Sequence, residues 1–279
     1  MREDGQIGSV KKAMEILRQI SDAEDGVISL KELAERAGVP KSTCVHILNT
    51  LCDGGYVQRM TTRGGYALGP MSYYIARNGK YQKRLVRLCH PVMTWLNRQT
   101  QQTVILSVLH DSDKYIVHYV SGERSLAQKG SILLGHIFET ATGRAMFANL
   151  RPEQQKCLLA RSGMPDVRQW PEASTPEDMQ NTLARIRQQG FAEASTLIGN
   201  MVDMGIGGVI HDANGVVGAI GMALRYVPAG ESMEERERQN YIQHLMRALR
   251  EINHRLAFEE MQGASESKGE GFHGISREI

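Results

Sequence analysis

Apolar residues in the first 55 positions recur at helical spacing in three runs. Val10, Ala13, Met14, Leu17 and Ile20 fall on one stripe and predict a helix over residues 9–20. Ser29-Leu30-Lys31-Glu32 has the form of a capping box, and Leu30, Leu33, Ala34 and Ala37 predict a second helix over residues 29–37, stopped at Gly38. Pro40 suits the first turn of a third helix, where a missing N–H costs nothing. In that helix Cys44, Val45, Leu48, Leu51 and Cys52 point inward, leaving Ser42, His46 and Asn49 on the outer face. Two short helices joined by a glycine-containing turn, the second with a small, hydrogen-bonding outer face, describe a helix-turn-helix and its recognition helix. Residues 56–60 and 65–68 then flank a polar tip and predict a β-hairpin, the wing of a winged helix, carrying Arg59 and Arg63.

Residues 70–90 are helix-compatible, with Tyr73, Tyr74, Ile75, Tyr81, Leu85, Val86 and Leu88 among basic residues and a bend expected at Gly79. Pro91 is expected to open a further helix running to Gln101. Beyond it, apolar runs at 104–109 and 115–120 flank the polar residues 110–114, and runs at 207–211 and 216–224 flank Asp212-Ala213-Asn214-Gly215, two hairpin signals. Thr175-Pro176-Glu177-Asp178 starts a helix that ends at Gly190. Ser232-Met233-Glu234-Glu235 caps a long one with Ile242, Leu245, Leu249, Ile252 and Leu256 inward. The expected domains are 1–69 (winged helix-turn-helix), 70–90 (helical linker), 91–262 (an α/β domain of paired strands covered by helices) and a disordered polar tail, 263–279.

The chain has 279 residues, 41% hydrophobic and 23% charged, enough for two cores. No apolar run approaches the ~18 residues that span a bilayer, and the acidic start lacks a signal-peptide core, so the expectation is a cytoplasmic protein without a membrane partner. Cys44, Cys52, Cys89 and Cys157 show no Cys-x-x-Cys spacing and read as reduced buried thiols, with no metal site. The net charge of +2 hides an asymmetry: residues 1–100 hold 15 Lys and Arg against 9 Asp and Glu, and no acid occurs between Asp53 and Asp111. Beside a recognition helix, this basic stretch points to a polyanion, double-stranded DNA, rather than to a merely solvated face.

The run Ser29-Leu30-Lys31-Glu32-Leu33-Ala34, Gly38-Val39-Pro40-Lys41-Ser42-Thr43, Gly55-Tyr56-Val57 and Tyr66-Ala67-Leu68-Gly69 resembles the IclR family of bacterial transcriptional regulators. The resemblance continues through Pro91-Val92-Met93-Thr94-Trp95-Leu96 and Thr103-Val104, and Gly143-Arg144-Ala145-Met146-Phe147-Ala148 is similar to the family's Gly-Lys-Ala-Leu-Leu-Ala helix start. It implies a ligand-responsive regulator, expected to repress a catabolic operon, that pairs as a homodimer or tetramer on operator DNA and senses a small organic acid through a GAF-like C-terminal domain.

Carried over by position, Lys41, Ser42 and Thr43 meet phosphate, His46 and Asn49 reach base edges, and Arg59 and Arg63 lie on the wing. Ile47 stands where the family often has an arginine. The effector cavity maps to His136, Phe138, Thr140, Ala141, Met201, Asp203, Ile206, Gly208, Gly221 and Ala223, near a helix start whose amides suit a carboxylate. Gly221 and Ala223 replace frequent hydroxyl side chains, and Asn200 an acid, so the expected ligand is larger or less polar, an aromatic or sugar-derived acid. Core packing is the competing reading for Phe138, Met201 and Ile206. His110, His118, His136 and His211 belong to no catalytic motif, and Gly205-Ile206-Gly207-Gly208 lacks dinucleotide-loop spacing, so neither an enzyme nor a cofactor is expected. The alternatives are a sensor-domain enzyme acting on a metabolite and a winged helix that docks protein.

Overall fold

A computed structural model describes residues 7–23, 25–60, 64–79, 82–110, 113–122, 134–198, 201–224, 227–228 and 233–269. The chain divides into two compact units, with the boundary between Tyr81 and Gln82.

The first unit contains α1 (Gly8–Ser21), α2 (Leu30–Arg36), α3 (Lys41–Asp53), β1 (Val57–Met60), β2 (Gly65–Leu68) and α4 (Pro70–Asn78). Its core is Ile16, Ile20, Leu33, Cys44, Leu48 and Val57. The Ser29 hydroxyl accepts the Glu32 N–H at 3.2 Å and starts α2, but the Glu32 carboxylate pairs with Arg36 at 2.5 Å. Gly38 supplies the positive φ, +62°, that turns the chain toward α3. β1 and β2 pair antiparallel from Val57↔Leu68 to Met60↔Gly65, and Ile28 adds a bridge to Tyr66. At the base of the wing Gly69 lies so close to the Gly55 carbonyl that no side chain fits there. The expected stripe of α1 is rotated in the structure: Ile16 and Ile20 face the core, while Val10 and Met14 are exposed. α1 packs through its second half, and the apolar Val10 and Met14 of its first turns stay exposed.

The second unit begins with α5 (Lys83–Thr100), which runs unbroken through Pro91. Proline there removes one helical hydrogen bond, and the buried stripe Leu85, Leu88, Cys89, Val92, Met93 and Leu96 holds the helix together across it. Next come β3 (Thr103–His110), β4 (Asp113–Val120), β5 (Leu134–His136), a 3-10 turn Ile137–Glu139, α6 (Ala141–Asn149), α7 (Pro152–Ser162), a second 3-10 turn Pro171–Ala173, and α8 (Pro176–Gln189). β6 (Ala192–Ile198), β7 (Met201–Asp212), β8 (Gly215–Ala223), β9 (Val227–Pro228) and α9 (Glu235–Gly269) complete it. The seven strands form one antiparallel sheet of order β5-β4-β3-β8-β7-β6, with β9 added to β7.

Helices cover both faces. On one, α5 and α9 bury Leu245, Leu249, Ile252 and Leu256 against Val104, Leu106, Ile206, Ile220 and Met222. On the other, α6 sets Met146 against Val209 and Ala219, and Phe138, Phe147, Trp170, Leu183 and Ile186 form a second core beside it. Thr175 caps α8 by accepting the Asp178 N–H at 3.2 Å, and Gly190 ends that helix at φ +81°. In the β7–β8 turn the positive φ falls on Gly215, at +126°, and Asn214 instead donates its N–H to the Asp212 carboxylate at 2.7 Å. α9 continues to Gly269, past residue 262 where the polar composition suggested a tail, and the expected cap Ser232 lies outside the described residues. The four cysteines are free, but Cys157 is exposed rather than buried. Among the described residues no helix is long and apolar enough to cross a membrane.

Lys114 of β4 is 2% exposed, and its side-chain amine has no hydrogen bond or ion pair among the described residues. Burial pushes its amine down to about 8, against the opposing pull of the Glu139 carboxylate. Its folded value lies below the unfolded one, so between pH 8 and the ordinary lysine value the unfolded chain binds more protons and stability rises with pH. Lys114→Met is expected to raise stability at pH 7 by about 3 kcal/mol and to flatten that alkaline rise, measured by urea unfolding at pH 7 and pH 10. A second prediction concerns sheet packing. A Cβ on Gly207 would lie 2.9 Å from both the methyl and the backbone nitrogen of Thr142, so Gly207→Val should cost about 1–3 kcal/mol in the same assay.

Candidate nucleic-acid interface and effector face

Pro40 stands immediately before α3 and offers no side-chain cap, so the first-turn amides of Lys41, Ser42 and Thr43 keep no partner from it. The first turn carries no acid. A positive helix end, uncapped and beside a lysine, favours phosphate. Lys41 and Ser42 are exposed and Thr43 half-buried; His46 and Asn49 are exposed one and two turns further along. Cys44 and Leu48 anchor the opposite side in the core, and Ile47 packs partly against it.

Arg59 of β1 reaches across to this face. Its guanidinium donates to the Asn49 side-chain oxygen and sits 5.9 Å from the centre of the Tyr66 ring. The wing arginine and the helix asparagine therefore form one unit, a coupling that periodicity along either element alone does not reveal. The Asn49 oxygen already accepts from Arg59, and its amide nitrogen has no partner among the described residues, so a two-bond contact with adenine would share that oxygen with Arg59 or displace it. Arg63 lies outside the described residues.

In the second unit, β-strand alternation sorts the candidate effector residues onto two faces. The candidates Gly221 and Ala223 share the side of the sheet covered by α6 with Gly205 and Gly207: Gly207 and Gly221 abut Thr142, Gly205 abuts Ala141, and Gly205 pairs with Ala223. Ile206 and Gly208 do not belong with them. Ile206 is buried in the core made with α5 and α9, and Gly208 lies directly against Leu249 of α9. Phe138 is fully buried against the rings of Phe147 and Trp170, and so serves the core. His136 is half-buried, its Nδ1 facing the Phe138 N–H at 3.5 Å. The backbone places Met201 and Asp203 on β7; their side chains, like Asn200, lie outside the described residues. The room expected above Gly221 is taken by the Thr142 methyl, 2.7 Å from where a Cβ would stand. What remains on this face is a corner of small residues: Ala141, Gly205 and Ala223.

The start of α6 is held rigidly. Thr140 accepts the Gly143 N–H at 3.2 Å, Thr142 Oγ1 lies 3.3 Å from the Ser107 hydroxyl, and Gly143 is pressed against the Ile137 carbonyl. Arg144, 4% exposed, donates to the carbonyls of Phe138, Glu193 and Gln169 at 2.8, 2.9 and 2.7 Å and stacks 5.0 Å from the Trp170 ring. Burial pulls its guanidinium down to about 10, while Glu172 at 4.0 Å acts the other way. Neither Thr142 nor Arg144 was among the candidates; the signal for Arg144 was the cation directly after Gly143 in the helix-start motif. Ala141 and Thr142 are buried, and their amides donate no hydrogen bond among the described residues. Free amides at a helix N-terminus favour negative charge in general. A separate cavity of about 360 Å³ lies against Arg144, Trp170, Arg185 and Arg238 and is bordered by none of the candidate effector residues.

The family model described as the IclR helix-turn-helix domain matches residues 9–60, and that of the bacterial transcriptional regulator IclR C-terminal domain matches residues 81–254. The chain is 33% identical over 194 residues to the HTH-type transcriptional regulator Rv1719 of Mycobacterium tuberculosis, covering 67% of this chain and 71% of that one. It is 26% identical over 191 residues to the transcriptional repressor IclR of Escherichia coli, covering 67% and 69%. The crystal structure of an IclR homolog complexed with 4-hydroxybenzoate from Microbacterium hydrocarbonoxydans shares the fold, with a TM-score of 0.67 at 18% identity, covering 89% of this chain and 99% of that one. The sequence matches are to transcriptional regulators, not to enzymes. With both units matched, the chain belongs to the IclR family and is a DNA-binding transcriptional regulator.

Proposed function

We propose that this regulator represses a catabolic operon by seating α3 of two paired chains in successive major grooves of operator DNA, and that a small organic acid held at the start of α6 changes that binding. The observation that carries the DNA contact is the open, acid-free start of α3 with Arg59 laid across Asn49. Lys41, Ser42 and Thr43 hold the backbone, His46 and Asn49 read bases, and Arg59 either follows the backbone or releases Asn49 to adenine; Arg63 extends the wing contact. Pairing of chains sets two such helices about 34 Å apart, which makes the operator a near-palindrome.

For the effector, the buried amides of Ala141 and Thr142 supply two donors and the helix dipole to a carboxylate, and Ala141, Gly205 and Ala223 leave room for an apolar body. Met201 and Asp203 of β7 belong to the same proposed wall, as does the segment from His136 to Thr140. The aromatic acid in the Microbacterium homolog is one ligand of this chemistry. The two sites are linked thermodynamically: an acid that favours the free chain lowers operator affinity by the same factor as operator lowers acid affinity.

Fluorescence anisotropy with a duplex recovered by in vitro selection, set against random duplex, tests the DNA reading. Tight binding to the selected duplex, falling steeply with salt, is expected. Lys41→Ala should weaken both duplexes alike and lower the salt slope by about one, whereas Asn49→Ala should relax preference at one base pair by about 1–3 kcal/mol. Equal, weak binding to both duplexes would overturn the proposal. For the effector, 4-hydroxybenzoate should raise the melting temperature and its neutral amide should not, and Ala223→Leu should abolish the shift; equal shifts by acid and amide would contradict carboxylate binding at α6.

A further inference from the structure

Within the second unit, α5 and β4 bring two imidazoles together. His90 Nδ1 and His118 Nε2 lie 2.9 Å apart, with ring centres 5.0 Å apart and planes at 65°. The arrangement is made by a β-bulge. Leu106 pairs with His118 but Ser107 pairs with Ile116, so Val117 is the extra residue and His118 is turned to the side of the sheet that α5 covers. On α5, His90 is exposed and His118 is half-buried opposite it. Nothing in the DNA-binding or effector readings uses either ring.

We propose that His90 and His118 form a chelating site for a late first-row divalent metal ion of the Ni²⁺ and Cu²⁺ class. At a metal–nitrogen distance of about 2.0–2.1 Å, two imidazole nitrogens at right angles around one ion stand about 2.9 Å apart, the separation already present. A tetrahedral ion such as Zn²⁺ would need them about 3.4 Å apart, so the pair favours square-planar or octahedral geometry. In the metal-free state one ring N–H is shared between the two nitrogens; the ion takes the place of that proton, which leaves to solvent. Among the described residues no third histidine, cysteine or carboxylate joins the pair. Cys89, next to His90, is fully buried in the core. Water therefore fills the other positions on the solvent side. Metal at this point ties β4 to α5.

The full-length chain, titrated calorimetrically with NiCl2 at pH 7.5 in a non-chelating buffer, is expected to take one ion at this site. Because the chain has nine histidines, variants assign it. His90→Asn and His118→Asn should each weaken binding by at least about tenfold, the double variant should abolish it, and His46→Gln should leave it unchanged. Saturating Ni²⁺ should also raise the melting temperature reversibly to EDTA, in wild type but not in the double variant. His90 occupies an exposed helix position, so its variant keeps the test decisive if the His118 variant fails to fold. Absence of binding to the wild type at millimolar Ni²⁺, or the same isotherm for wild type and the His90→Asn variant, would overturn the proposal.

Discussion

The close seat of the first turn of α6 on the sheet is the constraint from which the rest of the second unit follows. Helix backbone approaches strand backbone here only because Gly207 and Gly221 carry no side chain, and Thr142 fills the space between them with its methyl while its hydroxyl meets Ser107. Gly143 lets the same turn press on the Ile137 carbonyl. Arg144 then collects three backbone carbonyls from separate segments, so that the 3-10 turn, the Trp170 segment and β6 are all fixed by one side chain. A buried guanidinium is costly unless its donors are satisfied, and here all three nitrogens find carbonyl oxygens. The helix start is thus held in place and buried, and the amides of Ala141 and Thr142 have no partner among the described residues.

In the DNA-binding unit the organising feature is different. The core is small, and its job is to hold α3 with Cys44 and Leu48 inward so that the other side is offered to a ligand. The wing bends back to touch the helix through Arg59, making helix and hairpin a joint surface. That surface has no carboxylate in the first turn of α3, and no acid occurs in the sequence between Asp53 and Asp111. The buried, tightly held start of α6 thus contrasts with the exposed, acid-free start of α3.

Much of this was legible from residue patterns, and the exceptions have physical causes. The caps at Ser29 and Thr175 and the stops at Gly38 and Gly190 are local, so they can be read without tertiary knowledge. The inward stripe of α9 was also readable, because a long helix shows its period several times over. The α1 stripe was misplaced because Val10 and Met14 share its spacing and only packing picks Ile16. Pro91 looked like a start because the tertiary stripe that carries α5 through it is invisible locally. At the effector face the candidates Ile206 and Gly208 of β7 lie on the opposite side from Gly205 and Gly207, which were not among them, as period-two alternation demands. Gly221 suggested space, but a glycine in a sheet can equally mark where another backbone arrives. The buried Lys114 and the His90–His118 pair depend on strand register and a bulge, which composition does not encode.

Hydrogen exchange followed by mass spectrometry tests most directly whether the start of α6 is where an acid is sensed. Added 4-hydroxybenzoate is predicted to slow exchange at the amides of Ala141 and Thr142, with peptides of α8 unchanged. Binding of the acid with unaltered exchange at those two amides, and protection confined to another part of the second unit, would contradict the account.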